Sequence, residues 1–302
     1  MFERMSDAAL RRMASFVALG VAVGLIVIKV WAWRETGSIS LLTSAADGFV
    51  DVIASSATFI GVRYAAQPVD RGHRYGHGKA EAVAAFVQAM LLAAASIGLA
   101  IESAGRIVFP EPLNQTGLGI GVIVVSAVVA VGLVGMQTLV VHRTGSTAIA
   151  ADRAHYVTDV AVNGAVLIAL LLQHYLGWNR ADAIGAFAIS LYMLWSARGM
   201  ASDALVQLLD RELDAVERVR IEETVRACAG VSAVHDLRTR HGGDRVFVDF
   251  HLEVDGALTV REGHDICDDA EKAVQSLYPA ADVTAHLEPA GIEDERLDDL
   301  VK

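Results

Sequence analysis

Charge is scarce in this chain: 20% of its 302 residues are Asp, Glu, Lys or Arg, against about 25% in an ordinary globular protein. Proline falls to five, cysteine to two and aromatic residues to 6%. So little proline excludes collagen-like and proline-rich disordered classes, and two thiols cannot build a disulfide framework. Cys228 and Cys267, each set in a helical pattern, read as reduced residues facing a cytoplasm. Internal repeats and low-complexity linkers are missing too. A dense basic face is lacking as well, since Asp and Glu outnumber Lys and Arg by 36 to 25, so no nucleic-acid partner is expected.

What fills the space is apolar: 54% of residues are hydrophobic and the mean hydropathy is +0.42. Runs long enough to span a bilayer, about 20 residues each, fall at 13–33, 38–64, 82–107, 114–141, 148–176 and 182–206. Pro110 and Pro112 punctuate the turn between the third and fourth. The first run follows Arg11 and Arg12 but is too long for a cleaved leader and lacks a small-residue cleavage pattern after it, so it reads as an uncleaved span. Acidity is confined to the end: residues 208–302 hold 23 acids and 11 bases, residues 1–207 hold 13 and 14. This predicts an α-helical polytopic membrane protein with six transmembrane helices over 1–207 and a small water-soluble domain over 208–302.

Six crossings return both termini to one side. Arg4, Arg11, Arg12, Arg63, Arg71, Arg74, Lys79, Arg143, Arg198 and Arg211 gather at one set of ends, whereas Arg34, Arg106 and Arg180 mark the other. The excess of positive charge places the termini in the cytoplasm. In the tail, residues 215–229 and 259–278 have helical spacing. Two alternating runs within 234–254 are joined by His241-Gly242-Gly243-Asp244 and read as a hairpin, and 283–289 reads as a third strand. The order αββαβ implies a small α/β sheet domain with two helices on one face.

Ionisable groups inside a span are expensive, on the order of a few kcal/mol each, and read as functional by default. The second span carries Asp47 and Asp51, and the fifth carries His155 and Asp159, each pair at i,i+4 and so on one helical face. Three carboxylates and one imidazole can close a tetrahedral shell around a divalent ion. When the ion leaves, protons must balance the charge, which makes the site a metal–proton exchanger. The blander reading is a set of paired polar residues tying helices together. Lys29 and Glu102, near span ends, and the adjacent Asp152 and Arg153 read as groups that snorkel toward water.

The loop after the second span offers Asp70, His73 and His77 at i, i+3, i+7, a possible metal site. Arg71, Arg74 and Lys79 beside them equally suit a basic loop facing lipid headgroups. The tail adds His235, His251, His264 and His286, with Asp249, Glu253, Asp265 and Glu288 nearby. Folding the strands into one sheet can bring His235, His251 and His286 together.

With GSISLLTSAADGFVDVIAS, PVDRGHRYGHGKAEAVAAF, ADRAHYVTDV and LLDREL in place, the chain resembles the cation diffusion facilitator family, in its branch of bacterial zinc and ferrous-iron efflux transporters. The likeness covers nearly the whole chain. It implies a homodimer in the cell inner membrane that exports Zn2+, with Cd2+ or Fe2+ as further substrates, against H+ by alternating access. It also implies a metallochaperone-like cytoplasmic domain. By resemblance Asp47, Asp51, His155 and Asp159 form the transport site, and Asp70, His73 and His77 a loop zinc site. The resemblance likewise implies that His235, His251 and His286 are ligands of a binuclear zinc site in the cytoplasmic domain and that His264 is a further ligand. There the family carries an Asp that bridges two ions, and this chain carries Glu288, a longer carboxylate. Lys79 and Asp210 match a charge pair near the dimer interface. Two other functions fit part of the pattern: a manganese or iron exporter on the same scaffold, and a membrane-anchored zinc sensor. The sensor has no need of intramembrane carboxylates. An intramembrane zinc protease is not expected, because no His-Glu-x-x-His helix is present.

Overall fold

The computed structural model describes residues 5–37, 39–109, 117–178, 180–243, 245–291 and 296–297. The turn expected at Pro110 and Pro112, the first residues of the fourth span, Ser38 and Asp244 lie outside the described residues. The chain divides into two compact units, one of residues 1–69 and 80–205, the other of residues 70–79 and 206–302. The segment 70–79 lies between two apolar runs in sequence, yet it packs with the C-terminal unit.

The first unit is built of α1 (Asp7–Thr36), α2 (Ile39–Ala65), α3 (Ala80–Val108), α4 (Gly117–Thr144), α5 (Thr147–Leu176) and α6 (Ala181–Leu208). At about 1.5 Å per residue, helices of this length exceed the hydrocarbon thickness of a bilayer. The first five carry stretches long and apolar enough to cross a membrane. The sixth, at 28 residues, lies within the length range of the others but carries Asp182, Arg198 and Asp203. Large apolar side chains such as Trp31, Ile60, Ile101, Val128 and Trp195 face outward, as they do where the solvent is lipid. The interior is lined with small residues instead. Ala14, Ala18 and Ala22 form a buried stripe along α1, and a Cβ on Gly61 would stand only 2.5 Å from the Cβ of Ala84 on α3. In lipid there is no hydrophobic gain from helix association, so close backbone approach through small residues supplies the contact.

The second unit contains α7 (Ala215–Arg226), β1 (Ala233–His241), β2 (Val246–Val254), α8 (Val260–Leu277) and β3 (Asp282–Pro289). This is the expected αββαβ order. The strands run β1-β2-β3, with β2 antiparallel to β1 and parallel to β3. Val248, Phe250 and Leu252 of β2 are buried with Ile221 and Val225 of α7 and Cys267, Ala270 and Val274 of α8. Thr259 and Glu262 form a reciprocal capping box at the start of α8, satisfying two otherwise orphaned N–H groups. The helix expected to run to 229 stops at Arg226. Cys228 therefore lies in the turn beyond it, where its N–H bonds the Val225 carbonyl, rather than inside a helix.

Candidate metal centres

In the first unit, α2 and α5 bring Asp51, His155 and Asp159 together, their ligand atoms all within 4.8 Å of one another. His155 Nε2 stands 3.0 Å from Asp51 Oδ1 and 3.9 Å from Asp159 Oδ2. The imidazole is buried, and its Nδ1 has no hydrogen-bond partner among the described residues. Two carboxylates converging on one buried imidazole nitrogen suit a divalent cation. Asp47, one turn earlier on α2, is exposed and does not join this trio. Lys29 Nζ of α1 reaches to 3.5 Å from where a Cβ on Gly48, the residue after Asp47, would stand. Asp152 does not snorkel at all. It is fully buried, because Gln88, Gln137 and Ser55 donate hydrogen bonds to its carboxylate.

The loop trio of the second unit also converges. Asp70, His73 and His77 lie within 4.8 Å of one another, with the carboxylate oxygens of Asp70 3.4 Å from His73 Nδ1 and 3.4 Å from His77 Nε2. The backbone N–H of His73, then that of Gly72, donate to Asp70 and hold its carboxyl below the usual range. His77 is buried against the rest of the unit, while Asp70 and His73 face water. The loop is seated on the β1–β2 hairpin by close contact. A Cβ on Gly78 would collide with the carbonyl oxygen of Gly242, and Gly243 takes a left-handed φ of +97° opposite it. The Arg240 guanidinium lies 4.5 Å over the Phe247 ring and 5.0 Å over that of Tyr75. Lys79 Nζ pairs with Asp210 at 2.8 Å, and Arg240 approaches the same carboxylate at 3.5 Å. Partial burial pushes the Asp210 carboxyl up, but Lys79 and Arg240 together bring it below its ordinary value.

On the sheet, register puts His235 opposite His251 and His251 opposite His286. Their ring centroids are 5.1 Å and 4.8 Å apart in succession. Glu288 reaches all three: 2.8 Å to His251 Nδ1, 3.2 Å to His235 Nε2 and 3.5 Å to His286 Nε2. The longer carboxylate thus lies at the middle of the row. His264 is not brought to it within this chain; it stands exposed on α8, 3.7 Å from Asp268.

Two more acidic residues join the row: Glu253, already noted near the histidines in sequence, and Asp236, which was not. Glu253 lies 3.4 Å from His235 and 2.7 Å from Arg296. Its place two residues after His251, on the same strand face, was the available signal. Asp236 falls within the 4.8 Å cluster of His235 and His251. Strand alternation would send it to the opposite face, but a bulge between His235 and Arg238 and a φ of +52° turn it.

The family model of the cation efflux transmembrane domain matches residues 15–209, and that of the cation efflux protein cytoplasmic domain matches 213–290. The chain is 42% identical over 279 residues to the cation-efflux pump FieF of Salmonella choleraesuis, covering 92% of this chain and 93% of that one. It is 41% identical to the FieF pump of Salmonella arizonae over the same coverage. Among solved structures, it is similar to the putative zinc transporter CzrB in its zinc form, at 38% identity and a TM-score of 0.26, over 28% of this chain and 99% of that one.

Proposed function

The chain belongs to the cation efflux family, a membrane transporter rather than an enzyme, and we propose that it exports Zn2+ from a bacterial cytoplasm in exchange for H+. The observation that carries this reading is the convergence of Asp51, His155 and Asp159 on one point between α2 and α5. With the site open inward, near-neutral pH leaves carboxylates ionised and an imidazole largely uncharged, ready to bind metal. Facing a more acidic exterior, protonation of His155 and of one or more carboxylates releases the ion. Alternating exposure of the same donors to the two sides is then a metal–proton antiport. Asp47 completes an O3N shell when it turns in from its place one turn away. Such a shell without thiolate discriminates little among Zn2+, Cd2+ and Fe2+, and the family resemblance favours zinc.

The protein sits in the inner membrane as a homodimer with six spans and both termini cytoplasmic. The match to the family's cytoplasmic domain supports the pairing, and the basic residues at one set of helix ends support the orientation. The row of His235, His251 and His286 under Glu288, with the loop trio and His264, then reads cytosolic zinc. The test is metal uptake by inside-out proteoliposomes across Zn2+, Cd2+, Fe2+ and Mn2+, with internal pH followed in parallel. Zinc entry with stoichiometric proton exit is expected. Metal entry without proton movement removes the antiport, and transport of manganese alone replaces the substrate.

A further inference from the structure

One turn from the ligand trio, on the side of α2 that runs on from Asp51 to Ser55, five helices meet in a buried polar knot. Asp152 of α5 is its centre. Gln88 Nε2 of α3 donates to Asp152 Oδ1 at 2.9 Å, Gln137 Nε2 of α4 donates to Oδ2 at 2.6 Å, and Ser55 Oγ of α2 donates to Oδ1 at 3.3 Å. Tyr156 OH stands 3.1 Å from Ser55 Oγ and donates to the Ala18 carbonyl of α1 at 3.4 Å. Asp152 and Gln88 are 0% exposed and Gln137 and Ser55 1%. No Lys or Arg pairs with Asp152 among the described residues. Both glutamines turn their nitrogens to the carboxylate and leave their own Oε1 atoms buried without a partner among the described residues. Gln88 Nε2 also donates to the Ala54 carbonyl at 3.0 Å and to Thr58 Oγ1 at 2.9 Å, so α2 helps to fix that amide, while Gln137 Nε2 is turned to the carboxylate. Both oxygens of Asp152 act as acceptors, the pattern of the ionised form.

Hydrogen bonding by itself does not require a charge at this position. An Asn there keeps one oxygen for Gln88 and Ser55, and Gln137 turned about offers its Oε1 to the new amide. What a carboxylate adds is a full negative charge, held by neutral donors where charge is costly. A cation seated between Asp51, His155 and Asp159 is one helical turn away, since Asp152 and His155 are i,i+3 on α5 and Ser55 and Asp51 i,i+4 on α2. At that range, in a medium of effective dielectric about 20, a fixed charge attracts a divalent ion strongly. We infer that Asp152 is a positioning residue whose fixed charge sets the metal affinity of the intramembrane site without touching the metal, the neutral amides of Gln88 and Gln137 holding that charge beneath the ligands.

This role rests on the export reading, and one set of three proteins tests both. Zn2+ flux into proteoliposomes is measured against Zn2+ concentration for the wild type, Asp152→Asn, and Asp152→Asn combined with Gln137→Glu, which returns a carboxylate to the knot from α4. Asp152→Asn is expected to raise the half-saturating Zn2+ concentration at least about tenfold while the maximal rate stays within about twofold. The double variant returns the half-saturation toward wild type. An unchanged half-saturation in Asp152→Asn, with loss confined to thermal stability, overturns the role. If Asp152→Asn does not fold, the double variant decides: wild-type half-saturation supports the role, and a raised value overturns it. A wild type that moves no Zn2+ sinks export instead. Calorimetric Zn2+ titration of the same proteins in detergent then judges Asp152 separately, by whether Asp152→Asn weakens binding or leaves it unchanged.

Discussion

Glu288 touches three imidazoles at once because its extra methylene lets one carboxylate span a row of residues in sheet register. Shortening it by Glu288→Asp is expected to lose at least one of these contacts and to weaken Zn2+ binding to the cytoplasmic row about tenfold, read by calorimetric titration of the intact protein. Asp210 offers a pH test. Its carboxyl is held below the usual value, so the stability it contributes is present above about pH 4 and is lost as the pH falls through its lowered folded value. The difference in melting temperature between wild type and Asp210→Asn should be largest near neutrality and shrink in acid. A difference that grows in acid would contradict the ion pair with Lys79. If Asp51, His155 and Asp159 carry transport as proposed, Asp51→Ala or Asp159→Ala is expected to abolish zinc-driven proton flux in proteoliposomes. Wild-type flux in either variant removes the site.

The order of helices and strands followed from apolar spacing because each element is a local property, although some limits moved, as at α1, which begins at Asp7 rather than 13; the capping box, too, is local, joining Thr259 to Glu262 three residues on. The dock between the loop 70–79 and the β1–β2 hairpin had no such signature. Its parts, Tyr75, Gly78, Arg240, Gly242 and Phe247, are separated by more than 150 residues of chain and meet only through folding. Gly78→Val places side-chain atoms where the Gly242 carbonyl now lies, an overpacking penalty on the order of 1–3 kcal/mol. The loop should then lift from the hairpin, with amide exchange at 70–79 markedly faster than in wild type. Unchanged exchange there would mean that the contact does not hold the loop. The helix end at Arg226, and with it the position of Cys228, escaped the periodicity because Ala227, the C-cap, keeps both the apolar pattern and a right-handed helical backbone, and the chain takes a left-handed φ only at Gly230.

At the scale of the whole molecule, Asp70, His73 and His77, proposed above to bind zinc, lie on a segment that belongs to the C-terminal unit. Removing 208–302 should therefore weaken Zn2+ binding at Asp70, His73 and His77 as well as deleting the sheet row, and should lower dimerisation and the zinc dependence of transport. A truncated protein with all three unchanged would show that the tail has no regulatory part. Composition, charge distribution, the two i,i+4 pairs of ionisable residues and the family resemblance they carry were enough to read a cation-efflux membrane transporter with an acidic α/β tail. Those are one-dimensional facts: the length of an apolar run, the period of a face, the placing of a charge within a span. Folding settled the rest, because it turns on which faces meet. It drew Asp51, His155 and Asp159 together and left Asp47 a turn away, aligned three histidines under Glu288, and turned Asp236 inward at a bulge. It also buried Asp152, which by position alone belongs at a wet helix end, between an amide of α3 and one of α4. A carboxylate's worth depends on what surrounds it, and its neighbours in space are chosen by packing.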